Sequence, residues 1–291
     1  MIAERGRAEQ AIVNAMSVVV EDYFQVSAFD SVVPRRSWDQ LESRVCANTE
    51  RLLALFDQAG VKATFFVLGW VAARFPALVR RIASHRHEVA SHGFGHRLVY
   101  DLTPSEFRED VRRAKGVLED LSGLPVDGFR APSYSVTERS LWALDVLVEE
   151  GYRYDASIFP IYHDRYGIPD SPRHAHVLKL TSGSIVEAPA STLRCGRVNL
   201  PIAGGGYFRL LPYWWTRWGI EHLNRVERRP AIFYLHPWEI DPAQPRIAAK
   251  ATTRLRHYRN LAKTEARLRH LMRDFQFSTL ASVLRAATPG R

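Results

Sequence analysis

The feature that most constrains this chain is an alternation of short apolar runs with amphipathic, helix-period segments. Residues 15–20, 62–67, 87–91, 126–130, 152–156 and 231–235 are strand-sized. The patterns between them recur at helical spacing. Ser37 and Gln40 form a capping-box pattern ahead of Leu41, Val45, Leu52, Leu53 and Phe56, and Gly60 stops that helix. Residues 76–84 are also helical in pattern. Thr103, Pro104 and Glu106 open another helix, ending before Gly123, and Thr137 opens a further one, closed by Gly151. Repeated strand–helix units predict a parallel sheet with helices outside, and this many of them predict a closed or nearly closed (β/α) barrel. Residues 157–212 break the rhythm with Pro, Gly and Ser and short β-like pieces, so the expectation there is an insertion or lid.

A length of 291 residues suits one large α/β domain. The expected division is an N-terminal extension over 1–13, a catalytic domain over 14–245 and a basic helical segment over 246–291 packed on the barrel. Cys46 and Cys195 are far apart and form no Cys-x-x-Cys unit, so reduced thiols are expected rather than zinc ligands. Residues 1–10 are polar and charged, and the apolar stretch 12–20 is broken by Asn14 and Ser17. Neither reads as a signal peptide or a membrane span, so a cytoplasmic enzyme is the expectation. The net charge is +9. Between 246 and 273, nine Lys or Arg side chains face one acid, Glu265. Such a segment suits a solvated helix face, an acidic glycan or an anionic membrane surface. No nucleic-acid-binding module accompanies it, and nucleic acid is not expected as a partner.

In parallel α/β folds the chemistry gathers at the carboxyl ends of the strands. Glu21 and Asp22 follow the first strand, and His92 and His96 follow the third. Arg130, Pro132 and Tyr134 come next, then Asp155 and Ser157, and finally His236, Trp238 and Glu239. Two imidazoles four residues apart plus one carboxylate make the open, three-ligand set of hydrolytic metals. A second carboxylate would then be free to act as general base. His236 suits either a satisfied core histidine or, as an imidazole, a general acid. Trp238 suits either the core or a sugar platform, and Asp155 suits either a turn cap or a place in the site.

These motifs, in this order, resemble the polysaccharide deacetylases of carbohydrate esterase family 4. They are Val20-Glu21-Asp22-Tyr23-Phe24, Ser91-His92-Gly93-Phe94-Gly95-His96, Phe129-Arg130-Ala131-Pro132-Ser133-Tyr134, Tyr154-Asp155-Ala156-Ser157 and Leu235-His236-Pro237-Trp238-Glu239. Tyr23-Phe24-Gln25-Val26, the run Gly204–Arg209, His236–Asp241 and Arg256–Leu261 look like the subgroup associated with exosortase exopolysaccharide systems. The resemblance implies a deformed (β/α) barrel with a C-terminal helical extension and one divalent, zinc-like ion. It implies removal of N-acetyl groups from amino sugars of a bacterial exopolysaccharide or its lipid-linked precursor. Carried over by position, Asp22, His92 and His96 look like metal ligands and Glu21 like the base. Arg130 looks like the residue holding the base, Tyr134 belongs to the oxyanion motif, and His236 looks like the acid. Asp155 and Trp238 are expected to bind substrate. The pattern departs at Val19, where the subgroup commonly carries Asp in Asp-Val-Glu-Asp. Two alternatives follow: a catalytically impaired glycan-binding protein on the same fold, or another metal-dependent amide hydrolase.

Overall fold

The structure, a computed structural model, describes residues 11–287; most of the expected N-terminal extension lies outside them. The strands are β1 (Asn14–Val20), β2 (Thr64–Val67), β3 (Glu88–Ser91), β4 (Gly128–Phe129), β5 (Tyr154–Asp155), β6 (His176–Leu180), β7 (Gly183–Glu187), β8 (Thr192–Cys195), β9 (Val198–Pro201), β10 (Ile232–Leu235) and β11 (Phe277–Ser278). The helices are α1 (Val45–Ala59), α2 (Gly69–Arg74), α3 (Pro76–Ser84), α4 (Pro104–Ser122), α5 (Trp142–Glu149), α6 (Gly205–Leu210), α7 (Tyr213–Arg225), α8 (Ala251–Tyr258), α9 (Leu261–Asp274) and α10 (Leu280–Ala287).

The main sheet runs β10-β1-β2-β3-β4-β5-β7-β6, with β11 also on β1. Its pairings are parallel except β6 with β7. Beyond β7 the chain returns to β10, where the Ile232 amide donates to Ser191 Oγ at 2.7 Å. The curl is thus nearly closed, a deformed (β/α) barrel, although no ladder joins the two edges among the described residues.

The period-2 alternation of a strand sorts the β1 side chains. Met16, Val18 and Val20 face outward into the main core shared with Leu52 and Phe56 of α1. Ala15 and Val19 face into the curl. Ala15 joins Phe66, Ala90, Ile232 and Leu280, a layer closed by α10 at one end. Val19 joins Tyr134, Phe159 and Tyr234 towards the other end. The bottom plug is hydrogen-bonded as well as apolar: the Leu280 and Ala281 amides donate to Thr64 Oγ1 and Glu88 Oε2 at 2.7 and 3.1 Å. Those bonds satisfy amides that the start of α10 would otherwise leave orphaned.

Helix α4 starts and stops as its sequence says. Thr103 and Glu106 complete a capping box, Pro104 takes the first helical position, and Gly123 adopts φ +68° at the end. Three other expectations are corrected. The helix after Ser37 does not begin there: residues Arg35–Gln40 form a 3-10 turn in which Ser37 Oγ donates to the Pro34 carbonyl, and α1 starts at Val45. Residues 157–212 are not wholly an insertion, because β6 and β7 extend the barrel sheet from β5; the hairpin β8–β9 and helix α6 account for most of the rest. The break expected at residue 246 is not structural either, since β11 pairs with β1 and α10 plugs the barrel. A segment judged by its charge thus carries core residues.

Candidate metal centre

Glu21, His92 and His96 converge at the carboxyl ends of β1 and β3, all three buried. Each offers one ligand atom, and those atoms lie within 4.8 Å of one another. Glu21 Oε2 is 2.7 Å from His96 Nε2 and 3.6 Å from His92 Nε2. The His92 ring is oriented from behind, its Nδ1 2.7 Å from the Arg130 carbonyl oxygen, which leaves Nε2 for the centre. Between the two histidines the backbone turns tightly around Asp110 of α4. Its carboxylate accepts from the Phe94 and Gly95 amides at 2.6 and 2.9 Å. Gly93 has φ +70°, and a Cβ there would lie 2.7 Å from Asp110 Oδ2, so the position requires glycine. Burial opposes ionisation of Glu21, yet the surrounding imidazoles of His96, His92 and His236 hold its carboxyl well below the usual range. Burial pushes His92 down to about 4, despite Glu21 beside it. A neutral His92 beside an ionised Glu21 presents donor forms that a divalent cation takes.

Asp22, the expected ligand, is not in this cluster. Its side chain turns the other way and accepts from Ser43 Oγ at 2.6 Å and from the amides of Arg44 and Val45 at 3.0 and 3.3 Å. It therefore does the work expected of Ser37: a carboxylate capping the amino end of α1, where orphan amides and the helix dipole favour negative charge. Just past the end of β1 the two acids go to different partners, Glu21 to the imidazoles and Asp22 to the start of α1. Asp22→Ala is expected to destabilise the fold by about 1–3 kcal/mol while leaving metal stoichiometry unchanged. Denaturant melts beside metal analysis check both, and loss of metal from a folded variant would return Asp22 to the ligand set.

His236 follows β10. Its Nδ1 is 2.5 Å from Glu239 Oε1, and its Nε2 is 3.7 Å from Glu21 Oε1. Glu239 is fully buried and accepts from Arg209 Nε at 2.7 Å. Burial opposes its ionisation, but Arg209 and His236 keep its carboxyl low. His236, with Glu21, His92, His96, Val19 and Arg130, lines a cavity of about 170 Å³. Ser133 and Tyr134 at its lip both have positive φ, 51° and 54°. Strain of this kind, about 1–3 kcal/mol per residue, concentrates at functional sites.

The remaining expected residues divide. Tyr134 lines the cavity, with burial pushing its hydroxyl up to about 12, and its amide closes a turn on the Ala131 carbonyl at 3.3 Å. Arg130 lines it too, but is buried and holds no carboxylate among the described residues. Its Nε donates to the Ala156 carbonyl at 3.1 Å, Nη1 donates to Ser17 Oγ at 3.0 Å, and Nη2 has no partner. Trp238 lines the cavity but is no open sugar platform. His236 stacks on it at 5.1 Å between centroids and His257 at 4.2 Å, so both ring faces are covered. Asp155 is fully buried away from the cavity, bonded to Ser157 Oγ at 2.5 Å and pushed up by burial, next to a raised Glu187. The basic segment is only partly a surface. Arg267 donates to the carbonyls of Phe208, Arg209 and Leu211, whereas Lys250, Arg254 and Arg256 stand exposed around Leu255. Glu239 and Arg209 carried no expected role. Glu239 was legible three residues after His236, at the spacing of one turn, and Arg209 stood out only as the last residue of the Gly204–Arg209 run.

The fold is a deformed α/β barrel, and Glu21, His92 and His96 form a candidate metal-ligand set at the carboxyl ends of its strands. Residues 37–154 match the family model of the polysaccharide deacetylases, and residues 156–285 match one described only as a domain of unknown function. The chain is 33% identical over 98 residues to a peptidoglycan-N-acetylglucosamine deacetylase of Bacillus cereus, covering 33% of this chain and 36% of that protein. It is 32% identical over 99 residues to a chitooligosaccharide deacetylase of Bradyrhizobium, covering 34% and 43%. The matches span about a third to two fifths of these relatives. In fold it resembles a polysaccharide deacetylase structure from Mycobacterium smegmatis, with a TM-score of 0.59 at 19% identity, over 99% of this chain and 95% of that one. No helix among the described residues is long and apolar enough to cross a membrane.

Proposed function

We propose that the protein is a metal-dependent amide hydrolase that removes acetyl groups from N-acetylated amino sugars of a bacterial exopolysaccharide or its precursor. The observation that carries this reading is the buried Glu21–His92–His96 cluster with His236 Nε2 beside it in one cavity. Two imidazoles and a carboxylate with an open position suit a zinc-like ion, which when bound polarises an acetamide carbonyl and acidifies water. This reading puts the acetamido group in the cavity, which Tyr100 and Tyr166 also line.

Hydrolysis needs one proton taken from water and one given to the departing amine. His236 is placed for both. Glu239 holds Nδ1, Nε2 faces the cavity, and the imidazolium formed midway is stabilised by the buried Glu239 carboxylate. Glu21 is committed to the imidazoles, so the base role first read for it passes to His236. Acetate and a free amino sugar result. Acetate release from N-acetylglucosamine oligomers by zinc-loaded protein tests the reading. His236→Ala is expected to lower kcat about 10²–10⁴-fold, and full activity in that variant would end its proton-transfer assignment.

A second reading, a glycan-binding protein of low hydrolytic power, is favoured by Val19. This apolar side chain lines the cavity beside Glu21, where no other carboxylate does.

A further inference from the structure

The hydrolytic reading leaves the role of residues 156–285, the region matched only by a domain of unknown function, unassigned. That region supplies His236 and also the side chains that hold its Nδ1. Glu239, which grips His236 Nδ1, is itself gripped by Arg209 Nε at 2.7 Å. Arg209 is only 3% exposed. Its Nη1 donates to the carbonyls of Arg256, His257 and Arg259 at 3.0, 2.7 and 3.2 Å, where α8 ends. Its own carbonyl accepts from Asn260 Nδ2 at 2.7 Å, and Asn260 sits at φ +59° between α8 and α9. His257, from the same turn, stacks on Trp238, which stacks on His236. Burial and the nearby Arg209 push His257 down to about 3, so this outer ring of the stack is neutral.

We propose that Arg209 is a positioning residue for His236: through Glu239 it fixes the imidazole with Nε2 toward the cavity, and its grip on residues 256–259 makes that geometry depend on the C-terminal helices. The C-terminal region then completes the proton-transfer side of a centre whose two histidine ligands lie in the deacetylase-matched region. A guanidinium is needed because one planar group must serve a carboxylate on one edge and several carbonyls on the other. Lysine keeps the charge and loses that division. The inference rests on the proposed role of His236, but its geometry can be read without turnover.

The test uses the full chain with zinc and three variants: Arg209→Lys, Glu239→Gln and the double Arg209→Met/Glu239→Gln. The double variant removes both buried charges together, which costs less stability than leaving one of them unpaired. Acetate release should show kcat lowered roughly 10–100-fold in each variant, with KM within about twofold of the parent and zinc stoichiometry unchanged. In parallel, imidazole nitrogen NMR at a fixed alkaline pH should show His236 with its proton on Nδ1 in the parent and a mixed tautomer in Glu239→Gln and the double variant. Arg209→Lys restoring full kcat, or a kcat loss no larger than the loss of folded protein, would overturn the proposal. So would an unchanged His236 signal in folded Glu239→Gln. If the parent releases no acetate while the tautomer shifts as stated, the positioning stands and the hydrolytic reading falls.

Discussion

Val19→Asp is expected to raise the rate of acetate release by about two to four orders of magnitude, or roughly 3–5 kcal/mol of transition-state stabilisation. The argument is geometric. Ser17, Val19 and Glu21 alternate onto the same face of β1, so position 19 lies between the hydroxyl that holds Arg130 and the carboxylate that meets the imidazoles. Arg130 is buried, bonded to Ser17 and Ala156, and keeps one nitrogen unpartnered. An aspartate at 19 would give that guanidinium a partner and put a second carboxylate in the cavity, free of the ligand cluster and able to take the proton from water. Steady-state acetate release at saturating zinc, with both proteins confirmed folded and loaded, checks it. An unchanged rate would mean that His236 already supplies all the base catalysis the site can use. A parent rate at background combined with tight glycan binding would favour the second reading, with Val19 as its cause.

Replacing His92 and His96 together by alanine is expected to abolish stoichiometric metal binding, from about one ion per chain to none, and with it all acetate release. The three donor atoms lie within 4.8 Å of one another and are buried, so no surface group can substitute. A substrate-free readout exists, because a ligand that binds only the folded state stabilises it by about 2.7 kcal/mol at a hundred times its Kd. Zinc should therefore raise the parent's melting temperature and leave the double variant's unmoved. Metal retained by the folded double variant would place the ion elsewhere and detach the function from this cluster.

Much of this was legible because it is local. A strand of period 2 followed by polar residues announces both its buried face and its functional end, and His92 and His96 are tied by a four-residue turn that needs a glycine. The Thr103 box of α4 is likewise complete within four residues. The errors were non-local. Glu21 and Asp22 are both acidic and adjacent; which of them meets the imidazoles is decided just past the end of β1, and the other finds α1 only because Ser43, Arg44 and Val45 pack against it. Trp238 looked like a platform because its sequence neighbours do not reveal that His257, nineteen positions on, covers its second face. Asp155 at a strand end suits a turn cap or the site, and it is the cap: it accepts from the Ser157 amide at 3.2 Å, beside Glu187.

The sequence by itself determined the class of fold, the polar residues at the strand ends and the pair of histidines, because hydrophobic period and short-range spacing are written in the chain one residue after the next. Tertiary structure alone decided which acid joins those histidines, that Arg130 is left without a carboxylate beside Val19, and that Arg209 and the C-terminal turn hold His236. The side chains concerned come together from positions as far apart as Ser17 and Arg130, or Arg209 and Arg259. Only closure of the curl brings their charges into contact and strips the water from between them.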